Sequence, residues 1–124
     1  KYKATAARLS LLFIFDIKGK GKFENVYSDN SFVIEENDSF CVWQNYYNRK
    51  NGLCDFYITL FKEEKDGRYE RYDDVQSERM YTMRRIKNLL SETGFELIGA
   101  YSDYDFNAAS DGDDRIYIVS RCKK

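Results

Sequence analysis

The chain has 124 residues, 43% hydrophobic and 33% charged, with 20 Lys and Arg against 21 Asp and Glu. That is one globular domain's worth of sequence. It lacks the basic excess of a dedicated nucleic-acid or anionic-membrane binder and any apolar run near the roughly 18 residues of a membrane span. Histidine is absent, which excludes His-based metal sites, Ser-His-Asp triads and Cys-His dyads. Three cysteines, an odd count, exclude a complete disulfide framework and point to a reducing, cytoplasmic compartment. Eleven Tyr and nine Phe supply rigid apolar area for a core or a cavity wall. The chain starts at Lys1 with charge but no apolar stretch like a signal peptide, so a trimmed or partial chain is expected.

Residues 1–8 are good helix formers but too short to stand alone. Leu9–Ile17 is apolar on both faces, the pattern of a strand inside a parallel sheet covered on both sides. It ends at Gly19-Lys20-Gly21-Lys22, which reads as a mobile basic loop; the Walker spacing that would make it a phosphate loop is missing. Ser31–Glu36 and Phe40–Arg49 read as strands. Asn51-Gly52 then predicts a hairpin into Leu53–Lys62, and Asp66-Gly67 a second into Tyr69–Arg79. With two-residue turns, Trp43 faces Leu60 and Tyr47 faces Phe56, on an apolar sheet face shared with Ile58 and Val75. The opposite face then carries Val42, Gln44, Tyr46, Tyr57, Thr59, Phe61, Tyr72, Asp74, Gln76 and Glu78. Thr82 is set to cap a helix whose stripe is Met83, Ile86, Leu89 and Leu90, stopped at Gly94. Strands follow at Phe95–Tyr101 and Arg115–Val119.

Cys41, Cys54 and Cys122 have neither a C-x-x-C spacing nor a His base, and read as small buried hydrophobes. The paired acids Glu35-Glu36, Glu63-Glu64, Asp73-Asp74 and Asp111–Asp114 flank turns and read as solvated; no metal site is expected. Arg68–Tyr72 mixes rings and cations as nucleic-acid platforms do, but interleaved acids cancel the charge. Arg79 falls on the apolar face by alternation and therefore needs a carboxylate, from the protein or from a ligand.

Taken together, Phe13-Ile14-Phe15-Asp16-Ile17, Val42-Trp43-Gln44-Asn45, Asp55–Phe61, Tyr69–Asp73, Glu78-Arg79-Met80-Tyr81, Leu89–Phe95 and Arg115–Val119, in this order, resemble the C-terminal half of a class I S-adenosylmethionine-dependent methyltransferase. The resemblance implies an α+β fold: an antiparallel cap sheet inserted into the C-terminal part of a Rossmann-like sheet. Residues 1–21 would be a helix tail and the fifth strand, 22–81 the cap on the substrate side, and 82–124 the last helix and final two strands. The family's glycine-rich cofactor cluster and the ribose-binding acid of its second strand are absent. Ser10-Leu11-Leu12 stands where a Gly-Gly turn is usual, and Gln76 where relatives often carry a His.

The resemblance thus implies methyl transfer to a small-molecule substrate, with the S-adenosylmethionine site outside this chain and no activity from the chain alone. Trp43, Tyr46, Tyr57, Tyr72, Gln76, Arg79 and Tyr81 are the candidate substrate-binding residues; no catalytic residue is assigned. The rings suit an apolar or cationic group and Arg79 a carboxylate. A strand apolar on both faces needs neighbours on both edges, so a dimer or a complementing fragment is expected through residues 9–17. The alternative reading is a non-enzymatic binding or oligomerisation domain with an aromatic sheet face. Nucleic acid and membrane are not expected partners.

Overall fold

The structure, a computed structural model, describes residues 11–123; the helix-forming start and the first residues of the 9–17 segment lie outside them. The elements are β1 (Leu12–Lys18), a short helix (Lys22–Tyr27), β2 (Ser31–Glu36), β3 (Ser39–Asn48), β4 (Leu53–Glu63), β5 (Tyr69–Arg79), α1 (Met83–Glu92), β6 (Phe95–Tyr101) and β7 (Arg115–Cys122). They build two sheets, one ordered β1-β7-β6 and one ordered β2-β3-β4-β5.

In the three-stranded sheet both pairings are antiparallel, because β7 runs back between β1 and β6. The expected parallel setting of β1 is therefore not what the described residues show. Among the described residues β1 has β7 on one edge and no strand on the other. Leu12, Phe13 and Ile14 stay 56%, 48% and 62% exposed. α1 covers one face of this sheet: Ile86 and Leu90 pack with Ile116 and Ile118, joined by Phe15, Ile17 and Phe95. Its ends follow the sequence signals. The Thr82 side chain accepts the Arg85 N–H at 3.1 Å, a cap worth about 1 kcal/mol. Gly94 takes φ +89° just past the last turn, where a Cβ would be strained.

The four-stranded meander forms as expected, but its turns are longer than two residues. β3 closes on β4 with Asn48 opposite Leu53 across a four-residue loop, in which the Gly52 N–H reaches the Asn48 carbonyl at 2.9 Å. That moves the register by two, so Trp43 faces Ile58 and Tyr47 faces Cys54, and the faces of β3 and β4 stand as expected. The second hairpin turns through three residues, Lys65-Asp66-Gly67. Glu64 N–H bonds the Arg68 carbonyl at 2.7 Å and Gly67 sits at φ +83°. An odd loop flips the following strand. Tyr72, Asp74, Gln76 and Glu78 therefore share the apolar face, opposite Leu60, Ile58, Phe56 and Cys54, while Val75 and Arg79 lie on the other. The expected placement of Val75 and Arg79 on the apolar face is corrected by that one residue.

Past the expected loop at Gly19–Lys22, the chain enters a short helix at Lys22–Tyr27 that was not expected. The Ser28 N–H reaches back five residues to the Phe23 carbonyl at 2.7 Å, a wide helical turn that lays Phe23 and Tyr27 on the apolar face of the sheet. There they bury with Tyr47, Cys54 and Phe56. Tyr27 meets Phe56 edge-on at 5.0 Å between centroids, and Trp43 meets it at 5.5 Å, the arrangement aromatic quadrupoles favour. Each sheet thus has its own core, one aromatic and one aliphatic.

The glycines before this helix explain its start. Gly19 and Gly21 are buried, and a Cβ on either would overlap a backbone oxygen, that of Asp113 or of Gly112 respectively. Gly19 N–H also bonds the Asp114 carbonyl at 2.8 Å. The pair lets the chain leave β1 in contact with the 112–114 loop. It forms no phosphate cradle.

Candidate functional site

Where the two sheets meet, a cleft of about 470 Å³ is lined by Asp16, Ile17, Lys18 and Arg115 from the three-stranded sheet, and by Phe23, Glu78, Arg79 and Tyr81 from the segments around the other. It lies at the carboxyl end of β1, where open α/β sheets place their ligands. Its size is that of small-molecule sites.

Two ion pairs order the cleft. Lys18 Nζ bonds both oxygens of Glu78, at 2.7 and 2.9 Å, tying the last position of β1 to the end of β5. The same ammonium lies 5.3 Å from the Tyr27 ring centroid. Burial pulls the Lys18 pKa down, but the hydrogen bonds to Glu78 and Tyr27 outweigh it, and the net shift is upward. Lys18 is thus a fixed charge rather than a base. Arg115 Nη1 holds Asp16 Oδ2 at 3.0 Å. Of the two sources of a carboxylate expected for Arg79, protein or ligand, the protein supplies none among the described residues: its guanidinium donates to the Asn51 carbonyl at 3.3 Å and makes no ion pair.

The structure divides the residues singled out from the sequence. Arg79 and Tyr81 line the cleft. Tyr46 and Tyr57 pack edge-on at 5.4 Å on the other sheet face, where they line a small hollow with Gln44. Trp43 lines a separate apolar groove between the short helix and β2. Tyr72 and Gln76 are exposed on the apolar side, beyond the short helix's cover, with Gln76 bonded to Asp74 at 2.9 Å. The cleft's other members, Asp16, Lys18, Phe23, Glu78 and Arg115, come from three distant segments and were not singled out. Lys18, a lone cation closing an apolar strand, was the one signal available.

Of the three thiols expected to be buried, Cys41 and Cys122 are only half-buried. Cys54 is fully buried, and desolvation pushes its pKa up to about 11, away from nucleophilic thiolate. Among the described residues no group of three or more His, Cys, Asp or Glu is placed to hold a metal, and no helix is long and apolar enough to cross a membrane.

With the cleft and the β1-β7-β6 order in place, the chain resembles the C-terminal half of S-adenosylmethionine-dependent methyltransferases. No protein-family profile matches it. A protein of Geobacillus sp. (strain WCH70), named by inference as a methyltransferase, is 24% identical over 110 residues, 89% of this chain and 44% of that protein. An S-adenosylmethionine-dependent methyltransferase from Clostridium acetobutylicum superposes with TM-score 0.75 at 24% identity, covering 91% of this chain and 45% of that one. The methyltransferase CcbJ from Streptomyces caelestis superposes with TM-score 0.67 at 9% identity, over 90% of this chain and 46% of that one. The chain spans less than half the length of each of these three proteins.

Proposed function

We propose that this chain is the substrate side of an S-adenosylmethionine-dependent methyltransferase acting on a small molecule. Residues 22–81 form a cap over the cleft; the described parts of segments 1–21 and 82–124 belong to the last strands and helix of a Rossmann-like sheet. The observation that carries the reading is the position of the cleft, at the carboxyl end of β1 and walled by both sheets, in a chain related to such enzymes in sequence and fold.

The described residues do not themselves fit the cofactor. In the family this chain resembles, a glycine-rich cluster after the first strand and a ribose-binding acid on the second hold it, and this sequence contains neither. Here Gly19 and Gly21 are closed against backbone, and the start of α1 is already occupied: Met83 N–H donates to Asp111 Oδ1 at 2.8 Å and Arg85 N–H to Thr82. No step is therefore assigned through the cofactor on these residues. Their part is to bind and orient a substrate and keep water from it, which supplies much of the rate in displacement chemistry. The open edge of β1, with Leu12 and Ile14 exposed, takes a further strand, from a cofactor-binding half or from a second copy. Sedimentation of the isolated chain as a dimer at micromolar concentration supports that use of the edge, and a strict monomer counts against pairing between copies.

Calorimetry tests the division of labour. S-adenosylmethionine titrated into the folded chain alone should release no binding heat. A chimera joining it to the N-terminal half of the Clostridium enzyme should bind the cofactor. Saturable binding at one per chain without that half overturns the reading.

A further inference from the structure

We infer that the cleft receives a carboxylate on Arg79, with the apolar body of the ligand against Ile17 and Tyr81. The inference rests on the reading of this cleft as a substrate site and names the class of molecule it takes.

Charge bookkeeping within the cleft carries the argument. Five ionisable side chains of opposite sign line it: Lys18, Arg79 and Arg115 against Asp16 and Glu78. Both carboxylates are already matched, Glu78 by Lys18 through both oxygens and Asp16 by Arg115. Arg79 is left as the unmatched cation. It is exposed and makes one hydrogen bond, to a neutral carbonyl, so most of its five N–H donors face no protein acceptor among the described residues. A guanidinium presents a planar fork that a carboxylate fills with two parallel bonds. Three cations against two carboxylates leave the lining at net +1, which a single negative charge neutralises. A phosphate dianion would bring a second beside Asp16 and Glu78, whose field opposes it. The remaining wall is apolar: Ile17, the buried ring of Phe23, and Tyr81 at 37% exposure. A small molecule carrying a carboxylate on a hydrocarbon or aromatic body matches both parts.

Three probes separate these features: benzoate, its neutral isostere benzamide, and inorganic phosphate, each titrated into the isotope-labelled chain while backbone amide resonances are followed. Benzoate should shift the amides of Ile17, Phe23, Arg79 and Tyr81 saturably in the millimolar range, since the cleft is open and the fragment small. Benzamide and phosphate should not. Arg79→Gln should weaken benzoate at least tenfold, and Arg79→Lys, which keeps the charge but loses the fork, by less. Tyr69→Phe, at the opposite end of β5 from Arg79, should leave it unchanged. An equal response to benzamide, a preference for phosphate, no saturable shift, or full affinity in Arg79→Gln overturns the inference. If Arg79→Gln fails to fold, Arg79→Lys carries the comparison. Arg79-dependent benzoate binding beside a chimera that never binds S-adenosylmethionine leaves the anion site standing and removes the methyltransferase reading. The converse removes the anion site alone.

Discussion

Replacing Gly19 by Ala should destabilise the fold by about 3 kcal/mol or more, at the upper end of overpacking costs. The position is not one of the left-handed glycines, which are Gly52, Gly67 and Gly94, so backbone preference is not the reason. At an unhindered site Gly→Ala stabilises by roughly 0.4–1 kcal/mol, because it narrows the unfolded ensemble. Here the sign reverses. The new methyl overlaps the Asp113 carbonyl oxygen and comes within 3.4 Å of Ile116 Cδ1, and a backbone oxygen cannot swing aside as a side chain does. To make room the chain must separate β1 from the 112–114 loop, which loses the Gly19-to-Asp114 hydrogen bond of 2.8 Å. Urea unfolding followed by far-ultraviolet circular dichroism measures this; an unchanged midpoint would show that the loop yields freely.

Phe56→Ala should cost about 4 kcal/mol, within the usual span for deleting a buried ring. Phe56 is 2% exposed and takes edge contacts from both Tyr27 and Trp43. Its removal opens a void between the sheet and the short helix that flat neighbouring rings fill poorly. Because the aliphatic core around Ile116 and Ile118 is a separate cluster, hydrogen exchange should accelerate first in β3 to β5 and in the short helix. Uniform acceleration across β6 and β7 would mean that the two cores unfold as one unit.

The sequence made α1 legible because its signals are local: a Thr before the stripe, a Gly after it, and apolar residues three and four apart. The hairpins were equally visible at Asn51-Gly52 and Asp66-Gly67. Their loop lengths were not, since the dipeptide marks a turn without counting its residues, and one residue of error in the second loop exchanged the faces of Val75 and Arg79 for those of Tyr72 and Gln76. The Lys22–Tyr27 helix was hidden by the glycines before it, which read as slack but serve close approach. Its one signal was Phe23 and Tyr27 four residues apart. The cleft was half legible. Arg79 and Tyr81 stand in a conspicuous run, while Asp16, Lys18, Phe23 and Arg115 become neighbours only when β1 and β7 pair and the short helix folds under the meander.

The Lys18–Glu78 pair closes a sequence separation of 60 residues with contacts of 2.7 and 2.9 Å. The whole four-stranded sheet therefore leaves and rejoins the chain at one point. Closing a longer excursion between fixed ends costs little, since the entropy grows only with the logarithm of its length, and the excursion carries its own aromatic core. Such an arrangement is a cassette: strands can be added, shortened or traded between its two roots while the β1-β7-β6 sheet keeps its register, and the wall of the cleft changes with them.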